Sequence, residues 1–149
     1  MAKVITLRQP WAGLLVMGLK KFETRSWATA HRGRIYVHAS AKIDAVGKHL
    51  IEDLQKYDKR FEIGSIIRKA CMETGKIIGH VDIVDVHSTD EPLKPEITGS
   101  EYRFGDYSPG RHYWETTNAR RLFRPIPAKG QLSIWNIDDE ILNRNNGRR

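Results

Sequence analysis

The chain has almost no cysteine. One thiol in 149 residues, Cys71, excludes an intrachain disulfide, and no Cys or His partners stand at zinc spacing around it. Long apolar runs are absent too: none approaches the roughly 20 residues that a membrane helix needs. The opening Met-Ala-Lys-Val-Ile-Thr-Leu-Arg has neither the apolar segment nor the cleavage site of a signal peptide. A reducing cytoplasm is the expected compartment, with no membrane association. There is no Gly-rich phosphate loop of the Walker or dinucleotide type, no internal repeat and no low-complexity linker. His80, His87, Asp82 and Asp85 could be read as metal ligands, but nothing else in the chain supplies a matching cluster. No metal and no cofactor is expected.

What is abundant is charge. Charged residues make up 29% of the chain against 40% hydrophobic, the balance of a soluble globular protein rather than a disordered one. The net charge of +7 invites a polyanion as partner, but three of those seven charges are the arginines of the last seven residues. Residues 1–142 therefore carry about +4, mildly basic and compatible with nucleic acid without being diagnostic of it. Residues 143–149 read as a basic, disordered tail that adds non-specific affinity. The remainder fits one domain.

Lys3 to Leu7 alternates as a first strand, and Pro10 suits the start of a short, largely buried helix carrying Trp11, Leu14 and Leu15, with Gly18 as terminator. Lys21 to Trp27 and Arg34 to Ala39 read as strands two and three. Ile43, Val46, Leu50, Leu54, Tyr57 and Phe61 then make an apolar stripe at helical spacing, expected to face the core. A further helix is expected over Ser65 to Thr74, ended by Gly75. Lys76 to Val86 is the strongest strand signal, with His80, Asp82 and Asp85 breaking the alternation as a bulge would. His112 to Thr117 reads as a strand, Asn118 to Arg124 as irregular, and Pro125-Ile126-Pro127 as incompatible with sheet pairing except at an edge. Gln131 to Ile137 closes the set. Five to six strands with two to three helices in mixed order predict an α+β fold, its strands wrapped as a small β-barrel.

The candidate site centres on Gly18 to Trp27. In an extended chain Lys21, Glu23, Arg25 and Trp27 share one face, giving a point charge, a planar fork and a stacking surface. Lys20 and Arg25 are candidates for a phosphate or base edge, and Glu23 for accepting from an exocyclic amine or acting as a general base. A structural ion-pair cluster explains the same charges. Arg8 and Gln9 precede a helix N-terminus, where free N–H groups favour an anion. Trp27 is a stacking candidate, whereas Trp11 falls at core spacing. His38 and Ser40 end the third strand with Lys42 close behind, but no Asp is placed to orient the His, which excludes a Ser-His-Asp hydrolase. Trp114 is expected to border the cleft, and Arg120, Arg121 and Arg124 form a basic stretch usable for phosphates.

Gly18, Lys20, Glu23 and Arg25 together spell G-x-K-x-x-E-x-R. With Arg8-Gln9-Pro10-Trp11, Trp27, His38-Ala39-Ser40, Phe104-Gly105-Asp106-Tyr107, Tyr113-Trp114 and Lys129-Gly130 in order, the chain resembles the ASCH domain family of the PUA-like superfamily. The resemblance covers nearly the whole chain. It implies a single domain over residues 1–142, a β-barrel with flanking helices, and a cleft around the motif. It further implies binding of RNA or a nucleotide-like ligand. Some family members act on RNA or modified nucleosides, which makes a hydrolase using Lys20 and Glu23 the alternative. A relative that removes the acetyl group from N4-acetylcytidine has Thr where this chain has Glu23, so the hydroxyl nucleophile is missing from that place. Single-stranded RNA or a modified nucleoside is the expected partner, a protein partner the third reading.

Overall fold

Alternating β-branched residues build β1 (Ala2–Gln9), which lies between two later strands, and every other element is placed relative to it. The computed structural model describes residues 1–61 and 65–146. β1 leads into α1 (Trp11–Val16), β2 (Phe22–Arg25) and β3 (Gly33–Ile43). α2 (Ala45–Leu54), a 3-10 turn (Lys59–Phe61) and α3 (Ser65–Met72) precede the long β4 (Lys76–Ser88). α4 (Gly99–Arg103), β5 (His112–Pro127), β6 (Ile134–Ile137) and α5 (Asp139–Asn146) complete the chain. The six strands form one sheet in the order β2-β5-β4-β3-β1-β6. Among the described residues only the β1–β3 pair is parallel, so the sheet is mixed and the fold is α+β. β2 and β6 are its edges; among the described residues no backbone ladder joins them.

The strand period of two divides the core between the faces. Ile5, Leu7, Ile35, Val37, Val81 and Ile83 face α1, whose Leu15 and Val16 cover them. Val4, Ile77, Leu122 and Ile126 face the other way, beneath Trp135, Ile137 and Leu142. Each fully buried aliphatic of this kind contributes about 1.5–3 kcal/mol. Burial of Ile78 and Val81 in the same cluster needs an odd step in β4, and the register slips between Ile77 and Gly79 provide it.

The end of α1 sets up the site. Gly18 adopts φ +75°, which only glycine takes without strain, and the amides of Leu19 and Lys20 both donate to the Leu14 carbonyl. That left-handed turn swings Lys20 inward before β2 begins.

Three sequence expectations are corrected. Of the expected stripe Leu54 and Phe61 are buried and Leu50 packs partly against them, but α2 also buries Gly47 and Ile51, while Ile43, Val46 and Tyr57 are 45%, 76% and 82% exposed. The cause is steric: a Cβ on Gly47 would lie 2.6 Å from the Trp11 ring, so α2 docks through its glycine. Residues 118–124 are not irregular but continue β5 as far as Pro127, which pairs with Lys76. The β2 ladder stops at Glu115, leaving β5 an edge there, and Asn118 at φ +54° takes up the irregularity. Among the described residues there are five α-helices rather than two to three. Residues 147–149, the end of the expected tail, lie outside those described.

Candidate functional site

Among the described residues β2 pairs only with β5, placing Glu23 opposite Trp114 and Arg25 opposite His112. Trp114 is core, so Glu23 points to the inner side of the curled sheet and is 8% exposed. Its carboxylate is held at both oxygens. Oε1 accepts from Lys20 Nζ at 2.9 Å, and Oε2 lies 3.3 Å from Arg25 Nε. Lys20 Nζ also donates to the Phe22 carbonyl and is 1% exposed. A buried cation of this kind needs such partners, because the Coulombic gain barely offsets the desolvation of both charges. Arg25 Nη2 donates to the Thr6 carbonyl at 2.9 Å, a side chain bridging β2 to β1 where no backbone ladder does. Its guanidinium lies 6.0 Å from the Trp27 ring, which rests edge-on against Trp114.

Beside this cluster opens a cleft of about 880 Å³. Arg8, Glu23, Arg25, His38, Ser40 and Lys42 line it, so the structure brings six of the ten sequence-selected residues together. The other four are outside its wall. Gln9 is fully buried and structural: its amide donates to the Ala70 and Glu73 carbonyls at the end of α3, and its oxygen accepts from the Gly13 amide. Lys20 backs Glu23. Trp27 is half-buried beside Arg25, and Trp114 is 1% exposed, in the core rather than at the border.

Arg8 and Lys42 are exposed at the rim. Ser40 is engaged locally, its Oγ bonded to the backbone of Lys42. His38 is 1% exposed and sits edge-on to Trp135. Its Nε2 donates to the Ala128 carbonyl at 2.6 Å, which makes Nδ1 the acceptor, buried without a partner among the described residues. Burial pushes its pKa below the ordinary histidine value despite that bond.

The cleft also uses residues that sequence reading did not select. Arg111 reaches the wall from the turn before β5, where its Nε donates to the Asp106 carbonyl. Its place after the Pro109-Gly110 turn was visible; its proximity to β2 was not. Asp44 caps α2 through the amides of Val46 and Gly47 and accepts from Trp11 Nε1 at 3.0 Å. The Trp11 bond, above all, holds its carboxyl below the usual range. The loop from Gly130 to Ser133 closes one side, with Leu132 94% exposed. Arg8, Arg25, Lys42 and Arg111 thus face Glu23 and Asp44; Lys20 already balances Glu23 from behind, and Asp106 lies 3.5 Å from Arg111 Nε. The wall is cationic.

A curled, mixed six-stranded sheet with helices on its faces and a polar cleft at the motif defines a PUA-like α+β domain. A family model described as the ASCH domain matches residues 5–126, and the chain belongs to the ASCH domain family. It is similar to Activating signal cointegrator 1 of Homo sapiens, 29% identical over 139 residues, covering 92% of this chain and 22% of that protein. The Mus musculus protein of the same name is 28% identical over the same coverage. The chain spans less than a quarter of the length of these relatives. Among solved structures, ASCH from Zymomonas mobilis superposes with a TM-score of 0.54 at 13% identity, covering 96% of this chain and 92% of that one. Its S128A mutant gives 0.53 at 15% identity. Identities this low support the fold alone.

Proposed function

We propose that this domain binds single-stranded RNA, or a nucleotide-like part of it, in the cleft beside the G-x-K-x-x-E-x-R motif. The observation that carries the reading is the charge balance of the wall. Four cations face two carboxylates, one of which already has a buried lysine for its counter-charge; Arg111 is shared with Asp106, which among the described residues leaves Arg8 and Lys42 as the cations the wall does not pair. Arg8 and Lys42 at the rim suit phosphates, and Arg25, backed by Trp27 outside the wall, offers a guanidinium to a base edge. A small pocket of mixed charge suits an extruded base better than a duplex.

Fluorescence anisotropy with labelled single-stranded RNA tests it. Arg8→Ala and Lys42→Ala are expected to weaken binding several-fold each. Each should lower the slope of log K against log salt by about 0.7, the value for one phosphate left without its cation. Unchanged affinity and slope in both would sink the proposal. A protein partner, in keeping with the cointegrator relatives' name, would leave RNA unbound in the same assay. The cytoplasmic placement belongs to this proposal as well; among the described residues no helix is long and apolar enough to cross a membrane.

The hydrolase alternative asks Lys20 to meet charge developing on a substrate. Here its ammonium is turned to Phe22 and Glu23, behind the wall. Product from RNA or N4-acetylcytidine that disappears in Glu23→Gln would establish the enzyme reading. Lys20→Ala is the wrong probe, because it strips a buried carboxylate of its partner and reports on folding.

A further inference from the structure

A second groove, of about 650 Å³, opens on the sheet face where β3, β4 and β5 run side by side, closed at one side by α5. Its floor is a set of cross-strand neighbours: Tyr36 pairs with His80, His80 with Arg120, and Arg34 with Asp82. Arg34, Arg120 and Arg121 all line it. Among the described residues, none of these three guanidinium groups takes part in an ion pair. The single carboxylate in the wall, Asp82, is engaged by the Asn118 amide at 2.9 Å. Three arginines against one acid leave the wall net positive. Burial above all, then Arg34 and Arg120 against the opposing Asp82, hold the His80 pKa below its ordinary value. Its Nδ1 is buried without a partner among the described residues. Tyr36 lies edge-on to His80 at 5.2 Å, and Phe123 at the rim is 67% exposed with the Arg124 guanidinium 5.7 Å from its ring.

We propose that this groove is a second nucleic-acid surface, in which Arg34, Arg120 and Arg121 hold the phosphates of a single strand and Phe123 takes a base. Arginine forks match phosphate oxygens, and an exposed ring over which a strand can stack distinguishes nucleic acid from an acidic peptide. Tyr36 of the groove and His38 of the cleft are two residues apart on the same face of β3, but His38 is buried against Trp135, so the two sites are separated by core and the groove stands on its own residues.

The test compares a labelled 20-nucleotide single strand with a trinucleotide, on the full chain, across a salt series. The variants are Arg120→Ala/Arg121→Ala, Phe123→Ala and Arg25→Ala, each checked by circular dichroism for an unchanged fold. For the long strand, the double arginine variant is expected to lose tenfold or more in affinity. Its salt slope should fall by about 1.4, the value for two phosphates of a single strand. Trinucleotide binding should be unaffected, and Arg120→Lys/Arg121→Lys should restore the slope. Phe123→Ala should weaken the long strand several-fold with the slope unchanged. Long-strand affinity and slope that ignore the double variant would overturn the groove, as would poly-glutamate competing as well as the strand. Loss in the arginine variant with none in Arg25→Ala would remove the cleft and leave the groove. The reverse would do the opposite.

Discussion

His38 is the residue whose environment has the most measurable consequence. Burial disfavours its imidazolium, so its folded-state pKa lies below the 6.5 of the unfolded chain. The unfolded chain therefore binds the extra proton first as pH falls. Stability is complete above about pH 6.5 and declines below it, until the folded-state pKa is passed. His80 acts in the same direction for the same reason. Glu101, whose carboxyl burial pushes up, acts in the opposite direction, gaining stability as pH falls through its raised pKa. Asp44 and Glu115, held low chiefly by Trp11 and Lys94, give up their contribution only in the more acidic carboxylate range. The urea midpoint is thus expected to fall between pH 7 and pH 5, and His38→Gln should flatten part of that slope. A profile that is level across this window would show that folded His38 takes its proton as freely as the unfolded chain. The motif residues show how far single positions can be read. The shared face of Glu23, Arg25 and Trp27 was legible from the period of a strand, but the inward turn of Lys20 was not. It depends on the left-handed Gly18 and on the Phe22 carbonyl, neither of which a charge pattern shows.

At the scale of elements, close approach of backbones decides more than hydrophobicity does. α1 crosses α3 at Gly13, where a Cβ would stand 2.5 Å from the Ala70 carbonyl oxygen, and the neighbouring atoms are backbone that cannot swing aside. Gly13→Ala is expected to cost about 1–3 kcal/mol in chemical denaturation, although alanine is the better helix former. A neutral or stabilising result would mean the helices separate at no cost. The same physics explains how α2 docks. Periodicity ranks positions by apolarity, and Gly47 scores nothing, yet it is the residue that the Trp11 ring admits. Burial also accounts for Cys71, whose thiol pKa rises to about 12, which makes it a packing residue rather than a nucleophile.

For the whole molecule the decisive event is how the sheet ends meet. β2 and β6 stay unpaired with each other, and the Arg25–Thr6 bond spans the gap beside which the cleft lies. The second core depends on α5, which follows the strands and lies beyond residue 126 of the family match. Leu142 is 7% exposed there, packed with Trp135 and Ile137. Leu142→Ala is expected to lower unfolding stability by about 2–5 kcal/mol. A drop of less than about 0.5 kcal/mol, the range of an ordinary surface substitution, would show that α5 does not seal that face. By itself, the sequence determined the mixed α+β class, the order of the strands along the chain and the motif that marks the family. These rest on local periodicity and turn chemistry, which neighbours in sequence carry. The tertiary structure alone decided which charges face the cleft and which are locked behind it, that Arg111 lines the cleft with Arg25, and that Arg34 and Arg120 line one groove. Those pairings join residues far apart in the chain, and only the register of the sheet brings their side chains together.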